Sequence, residues 1–240
     1  MTPLDTLITG GTVVTAEGTI DAAVGIRDGT IACLGEPESL PSADETVDVD
    51  GQLVMPGVVD PHTHLAGYNS IDSYETGTAA AALGGVTSLA TFAWQGWTGS
   101  GWTETETLRE AVERHRAWAE PLVDYSLHPV ITRESPEVLA ELPALVDAGI
   151  SSVKLFTTDD IRLSYGFIGD VFDRLADTGA VGMVHTEEYS VCERRADAVA
   201  SEQGGAEATA YPRSRPAYAE AIAAAAVARL ARAADAKYYG

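Results

Sequence analysis

The stretch LVMPGVVDPHTH, residues 53–64, decides how this chain is interpreted, because an apolar run leads directly into two histidines. The apolar residues 53–59 predict a buried strand, with the histidines following its end. From residue 53 onward, segments typical of strands alternate with segments typical of helices, whereas the preceding part contains only short strands and turns. We therefore expect two domains, an N-terminal β-sandwich segment at residues 1–52 and a second domain at residues 53–240.

Short apolar runs separated by turn residues favour the β-sandwich assignment for the N-terminal segment. Asp28-Gly29 stands between two such runs, and Asp-Gly in this position is a strong hairpin signal. The predicted strands are Leu4–Thr9, Thr12–Thr15, Ala22–Arg27, Thr30–Leu34 and Thr46–Asp50.

Alternation of strands and helices predicts a parallel α/β sheet for the second domain, since repeated βα units with short connections build such sheets. After the strand at residues 53–59, the predicted strands are Val86–Ala93, Tyr125–Ile131, Ser151–Phe156 and Ala180–His185, with Lys237–Gly240 as the start of a sixth. The predicted helices are Ser73–Leu83, Thr103–Glu120, Pro136–Ala148, Ile168–Thr178 and Ala217–Ala234. Candidate site residues at strand ends favour a (β/α)₈ TIM barrel. About five strands are present, so we expect an incomplete barrel.

The charge balance is strongly acidic, with 36 Asp and Glu against 15 Lys and Arg and a net charge of -21. Such a chain would be repelled by phosphate backbones, so we expect no nucleic-acid partner. The acidic residues are scattered, which is typical of a solvated surface rather than an interaction tail. We hypothesise a halophilic protein, whose surface acidity maintains solubility where salt screens charge strongly.

The remaining composition predicts a cytoplasmic protein with no membrane partner. No run of eighteen apolar residues is present, and the first residues lack the basic segment of a secretory signal. Cys33 and Cys192 have no metal-binding or redox spacing, so we expect both to be reduced thiols.

His62 and His64 are the first candidate site residues. Side chains two apart on a strand point to the same face, so both imidazoles would project together from the end of the strand. Two convergent imidazoles suit a divalent metal ion. The alternative is a pair of polar residues in a loop.

Lys154 and His185 are the other candidates, each on a different predicted strand. The chain has only two lysines, yet Lys154 lies inside an apolar strand, where burial would lower its pKa. A neutral lysine amine can capture carbon dioxide and become a carbamate, an anionic ligand able to bridge two metal ions. For Lys154, the alternative is a side chain that extends from the strand to water. His185 ends its strand, and the alternative for it is a core histidine that is hydrogen-bonded to the backbone.

Several motifs together resemble the cyclic amidohydrolases of the amidohydrolase superfamily: the hydantoinases, dihydropyrimidinases, allantoinases and dihydroorotases. The motifs are MPGVVDPHTHL at residues 55–65, GGVTS at 84–88, GISSVKLF at 149–156, VHTE at 184–187, and Arg215-Pro216 followed by Glu220. The resemblance covers essentially the whole chain, and the N-terminal segment fits that family's first domain.

The resemblance implies a binuclear metal site. His62 and His64 would hold the more buried ion, carbamylated Lys154 would bridge both, and His185 would ligate the more exposed one. Zinc is the expected metal, although manganese, cobalt or iron would also suit the ligands. The family's further histidine ligand and its catalytic aspartate fall beyond residue 240, so no catalytic proton shuttle is identified here, and the 240 residues alone are expected to be incomplete.

The implied activity is hydrolysis of a cyclic amide C–N bond of the hydantoin or dihydropyrimidine type, on a small cyclic amide substrate, in a homo-oligomer. Asp159 occupies the position of a family tyrosine, for which Tyr165 is a candidate substitute, and Ala66 stands where hydantoinases often have Asp. A dihydroorotase is disfavoured because no arginine closely follows His64. Allantoinase-type activity and a truncated, non-catalytic scaffold are the remaining alternatives.

Three other features are weaker candidates for a functional role. The tryptophans of WQGWTGSGW, residues 94–102, predict either a lid or pocket wall or a subunit contact. His128 is expected to be structural, and His115 to be a partly exposed helix residue.

Overall fold

A computed structural model describes residues 2–202, 208 and 210–240. The chain forms two compact units, Met1–Val58 and Val59–Gly240. Each unit has its own sheet structure, and residues 59–240 carry the candidate metal ligands.

The N-terminal unit contains a four-stranded sheet of order β5-β4-β1-β6 and a three-stranded sheet of order β3-β2-β7. Asp28 and Gly29 connect β4 to β5 and both have positive φ, as the predicted hairpin requires. The strands are β1 (Leu4–Thr9), β2 (Thr12–Thr15), β3 (Gly18–Asp21), β4 (Ala23–Arg27), β5 (Thr30–Gly35), β6 (Ala43–Asp48) and β7 (Leu53–Val54).

The continuous buried strand predicted at residues 53–59 is wrong. Residues 53–54 form β7, which pairs with β2 of the N-terminal unit, and a separate strand, β8 (Val58–Thr63), leads into the histidines. Val58 and Val59 are exposed because β8 is an edge strand of its sheet. An apolar run does not reveal that Pro56 and Gly57 divide it between two sheets.

The second unit is built on a six-stranded sheet of order β13-β12-β11-β10-β9-β8, in which strand order follows chain order. The pairings from β9 to β13 are all parallel. This confirms the predicted α/β parallel sheet, as part of a barrel with β8 and β13 at its edges. After β8, the strands are β9 (Val86–Trp94), β10 (Asp124–Val130), β11 (Ser152–Phe156), β12 (Val181–His185) and β13 (Lys237–Tyr239).

Helices connect these strands, and their apolar sides cover one face of the sheet. Val112, Leu142 and Phe172 are among the side chains buried between helices and sheet. No helix of the described residues combines the length and the hydrophobicity needed to span a bilayer. The helices are α1 (Tyr74–Leu83), α2 (Leu108–Trp118), α3 (Pro136–Asp147), α4 (Tyr165–Ala176), α5 (Tyr189–Ala200), α6 (Ala210–Ser214) and α7 (Ala217–Ala233).

The opposite face of the sheet, which would line a barrel's interior, carries a second and smaller apolar cluster. Its buried members are Phe92, Trp94, Val130, Phe156 and Met183. All the candidate metal ligands project from this face or from the strand ends beside it, so the cluster forms the floor of the candidate site.

Candidate metal centre

Strand β8 carries His62, and His64 follows directly after its last residue, Thr63. Their ring centroids are 5.5 Å apart, and each lies 4.8 Å from the ring centroid of Phe92 on β9. Two side-chain hydrogen bonds attach β8 to β9: Thr63 Oγ1 donates to the Ala90 carbonyl, and the Leu65 amide donates to Thr91 Oγ1, both at 2.9 Å. The two imidazoles therefore share one face, as predicted from their spacing.

Both imidazoles are exposed at their outer edges and covered by Phe92 on one side. This partial burial, together with the nearby charge of Lys154, lowers the pKa of His62 and of His64. Neutral imidazoles are the form that ligates metal ions, so the surroundings favour the form that ligation needs.

Lys154 is the buried member of the group, with 5% of its surface exposed. Its Nζ lies 5.4 Å from the ring centroid of Phe92 and 5.1 Å from that of Phe156. Burial lowers the pKa of Lys154 to about 8. Among the described residues no carboxylate forms a salt bridge with Lys154, so no paired charge offsets the effect of burial on this amine.

His185 ends β12 and stacks on Phe156 with the ring centroids 5.5 Å apart. It lines a cavity of about 240 Å³ together with His62, Lys154, Glu220 and Tyr239. Three of the four predicted ligands therefore meet in one cavity, whereas His64 does not line it and lies next to His62, with the ring centroids 5.5 Å apart.

Glu187 and Arg215 next to His185 are site residues whose contacts sequence reasoning missed. Glu187 Oε1 is 3.6 Å from His185 Nε2, and its other carboxylate oxygen accepts a hydrogen bond from Arg215 Nη1. Arg215 Nη2 also donates to Asp159 Oδ1 at 3.1 Å. The chain separates these residues widely, and only the motif similarity of residues 184–187 and 215–216 gave a signal.

The loop after β11 does not bring Tyr165 to this cavity. Asp159 has a φ of 63° and is held by Arg215, while Tyr165 lines a separate groove with Glu134, Arg162 and Glu188. The location of Tyr165 therefore does not support the idea that it substitutes for the family tyrosine whose position Asp159 occupies.

The tryptophan-rich loop after β9 contributes an aromatic wall beside His64. Trp94 is buried and its ring centroid is 6.5 Å from that of His64. Tyr68 packs edge-on against Trp94 at 4.8 Å and also contacts Trp97 and the half-exposed Trp102. The position of Trp94 favours the pocket-wall interpretation for this residue.

Glu106 fixes the tryptophan-rich loop and does not cap a helix. Its carboxylate accepts hydrogen bonds from Arg114 Nε at 2.7 Å, from Arg114 Nη2 at 2.8 Å and from the Gly96 amide at 2.6 Å. The helix predicted to begin at Thr103 begins later, because Thr107 and Glu110 form the capping box at the start of α2.

The two remaining histidines are both buried. His128 is 7% exposed, in agreement with a structural role, and its pKa is lowered by burial. His115 is fully buried and its Nδ1 lies 2.9 Å from the Tyr74 hydroxyl, so the predicted partial exposure of His115 is wrong. A polar residue on a helix gives no sequence signal of the aromatic contacts that bury it.

The donor set suits divalent metal ions if Lys154 takes part. Within residues 2–202, 208 and 210–240, no group of three or more His, Cys, Asp or Glu side chains has the arrangement of a metal site. His62 lies on β8, His64 directly follows that strand, and His185 ends β12. The amine of Lys154 comes from β11, which lies between β12 and β8 in the sheet. Nitrogen ligands of this kind, supplemented by an oxygen ligand on Lys154, are a typical set for zinc and related ions.

Comparisons with known proteins identify the family. Residues 45–154 match Amidohydro_3, the amidohydrolase family. D-hydantoinase from Rhizobium radiobacter is 33% identical over 249 aligned positions, covering 98% of this chain and 51% of the relative. D-phenylhydantoinase from Escherichia coli O139:H28 is 35% identical, covering 90% of this chain and 47% of the relative. A solved D-hydantoinase structure superposes with a TM-score of 0.90 at 32% identity, over 98% of this chain and 51% of that one.

The chain therefore belongs to the amidohydrolase superfamily. Within it, the chain is a partial homologue of the cyclic amidohydrolases, which confirms the resemblance of the sequence motifs. The chain spans about half the length of the curated relatives it matches. The superfamily is generally metal-dependent, in agreement with the donor set described above.

Proposed function

We propose that the chain contributes the first half of a metal-dependent hydrolase that opens cyclic amides of the hydantoin or dihydropyrimidine type. The observation that carries this proposal is the cavity lined jointly by His62, Lys154 and His185. These side chains come from β8, β11 and β12, which are far apart in the sequence, and they bring three nitrogen donors to one cavity. The relatives named D-hydantoinase and D-phenylhydantoinase support the substrate class.

Lys154 is proposed to act as a carbamate. The ammonium group first loses one proton. The neutral amine then adds to carbon dioxide, forming an N–C bond and releasing a second proton, so that the side chain changes from a cation to an anion with two oxygen donors. Phe92 and Phe156 exclude water from one side of Nζ, which favours the neutral amine needed for this addition. The carbamate oxygens would extend into the cavity toward His62 and His185.

His62 and His64 would hold one divalent ion, His185 a second, and the carbamate of Lys154 would bridge them. Bound ions of this kind lower the pKa of a coordinated water and polarise a substrate carbonyl. Zinc is the metal we propose, since imidazole and carboxylate-like donors suit it.

The chain's own residues would orient His185 and the substrate. Arg215 holds Glu187 with an ion pair, and Glu187 in turn lies within 3.6 Å of His185 Nε2. Tyr68 and Trp94 offer an apolar wall beside His64, suited to a ring or its substituent. Hydrolysis adds a hydroxyl group to the amide carbon, breaks the ring C–N bond and leaves a proton on the nitrogen.

Metal content in bicarbonate buffer tests this proposal, with Lys154→Ala against the matched control Lys237→Ala. Lys237 is the only other lysine, and it is exposed on β13. We expect Lys154→Ala to lose bound zinc and the carbamate ¹³C NMR signal formed from labelled bicarbonate, and Lys237→Ala to keep both. Equal zinc content in Lys154→Ala and wild type would contradict the carbamate.

A further inference from the structure

His128 connects three strands on the face that carries the candidate ligands. It lies on β10, is 7% exposed, and packs against Phe92 with the ring centroids 5.3 Å apart. Its Nε2 is 3.0 Å from the Pro61 carbonyl oxygen on β8, and its Nδ1 is 2.5 Å from Ser152 Oγ on β11. One imidazole therefore links the strand of His62 and His64 to the strand of Lys154.

The two partners determine which nitrogen of His128 carries the proton. A carbonyl oxygen can only accept a hydrogen bond, so Nε2 must be the protonated nitrogen that donates to Pro61. In a neutral imidazole Nδ1 is then an acceptor, and the Ser152 hydroxyl donates to it. Both nitrogens are satisfied by this single tautomer, which makes the connection directional.

The Pro61–His62 peptide group is held on both of its polar atoms. His128 donates to the Pro61 carbonyl oxygen, and the His62 amide donates to Asp60 Oδ1 at 3.0 Å. Rotation of this peptide would turn the Cα–Cβ bond of His62 away from the cavity. Because β8 is an edge strand, it has a neighbouring strand on one side only. These two hydrogen bonds therefore restrict a peptide group that the sheet itself holds from one side.

The second partner, Ser152, precedes Lys154 by two residues on β11, so both side chains point to the same face of the sheet. Val130, two residues after His128, is directly paired with Lys154. The bond between His128 and Ser152 therefore fixes the spacing of β10 and β11 immediately before the lysine.

We propose that His128 is a positioning residue for the metal-binding half-site, holding the His62 backbone and the Lys154 strand at a fixed separation. Its two hydrogen bonds go to the Pro61 carbonyl oxygen and to Ser152 Oγ, so it acts on the candidate ligands through these two residues. This inference rests on the proposed function, since it assumes that His62 and Lys154 bind metal.

Titration of the full-length protein with Co²⁺ tests the inference. The visible absorption spectrum of the bound ion reports its coordination. His128→Ala should weaken binding roughly 10–100-fold, the usual cost of losing a residue that orients metal ligands. His128→Gln keeps a donor near the Nε2 position and should retain most of the affinity and the wild-type spectrum. His128→Asn reaches only the Ser152 side and should lose affinity as His128→Ala does.

His115→Asn is the matched control, because His115 is also buried but lies on α2 with its hydrogen bond directed to Tyr74. It should leave Co²⁺ affinity unchanged.

If His128→Ala does not fold, the comparison of His128→Gln with His128→Asn decides the question alone. Equal affinity in all folded His128 variants, or a Gln variant as weak as the Asn variant, overturns the inference. A wild-type chain that binds no Co²⁺, or binds it as well after His62→Ala, overturns the proposed function and this inference with it.

Discussion

At the scale of the residue, burial controls the protonation state of His115. The side chain has no exposed surface, its Nε2 has no hydrogen-bond partner within the described residues, and burial lowers its pKa to about 3. The unfolded chain therefore binds a proton at His115 near its ordinary pKa of about 6.5, and the folded chain does so only near pH 3. Stability contributed by the neutral imidazole is thus present above pH 6.5 and is lost as the pH falls toward 3.

We predict that the wild-type free energy of unfolding falls by about 1 kcal/mol more than that of His115→Asn between pH 6.5 and 5.5. Asn keeps a hydrogen-bond partner for the Tyr74 hydroxyl near the Nδ1 position and does not titrate. Urea denaturation at the two pH values measures this difference. Parallel pH dependence in the two proteins would show that His115 is not protonated on unfolding.

The sequence predicted the candidate ligands because each stands out locally. His62 and His64 have a spacing of two after an apolar run, and Lys154 is one of only two lysines. The residues that support them do not stand out locally: the contacts of Glu187 with Arg215 and of His128 with Pro61 join positions 28 and 67 residues apart. Only the folded chain brings such partners together, so spacing within the sequence does not reveal them.

At the scale of the element, two threonines near the beginning of α2 have different structural roles. Thr107 is the N-cap, and its hydroxyl accepts from the Glu110 amide, whereas Thr103 forms a turn in which its amide donates to the Gly96 carbonyl. We predict that Thr107→Ala lowers the free energy of unfolding by about 1 kcal/mol. Thr103→Ala leaves its backbone bond intact and should have a clearly smaller effect.

Urea denaturation of both variants at pH 7 measures the comparison. Equal destabilisation by the two substitutions would mean that the helix begins near Thr103. Circular dichroism of the folded variants then shows whether either one shortens the helix.

The sequence predicted well the elements in which the pattern of apolar and polar residues matches the residues that are buried in the fold. Strand β9 matched its predicted range to one residue, since its apolar run lies inside one sheet. Helix α5 was not predicted, because residues 193–197 are largely charged and its buried side consists of few residues, Cys192 and Val199 among them. Residues 103–107 resembled a helix start, but the ion pair of Glu106 with Arg114 on α2 holds them in a loop.

At the scale of the whole molecule, the net charge of -21 predicts a marked dependence on salt. Repulsion among the scattered carboxylates destabilises the compact state, and added salt shortens the range of this repulsion from about 10 Å at 0.1 M to about 3 Å at 1 M. We predict that the free energy of unfolding and the refolding yield both rise with KCl over this range. Constant values from 0.1 to 1 M KCl would contradict the halophilic hypothesis.

The extent of the chain predicts a limit on its activity. The described residues supply His62, His64, Lys154 and His185 but form no complete metal cluster, and the chain spans about half of its relatives. We predict that residues 1–240 alone hydrolyse neither hydantoin nor dihydrouracil. Spectrophotometric assays with added zinc and bicarbonate measure this, and turnover that His62→Ala abolishes would show that these residues suffice.

The agreement of strand order with chain order from β8 to β13 has a consequence during synthesis. Each strand leaves the ribosome beside a neighbour that has already emerged, so the sheet can grow by one strand at a time from its N-terminal side. His62 and His64 are synthesised long before Lys154 and His185, and at every stage the newest strand is an unpaired edge open to other nascent chains. Pauses in translation would therefore be least harmful within the helices that follow each strand, where the last strand has had time to pair.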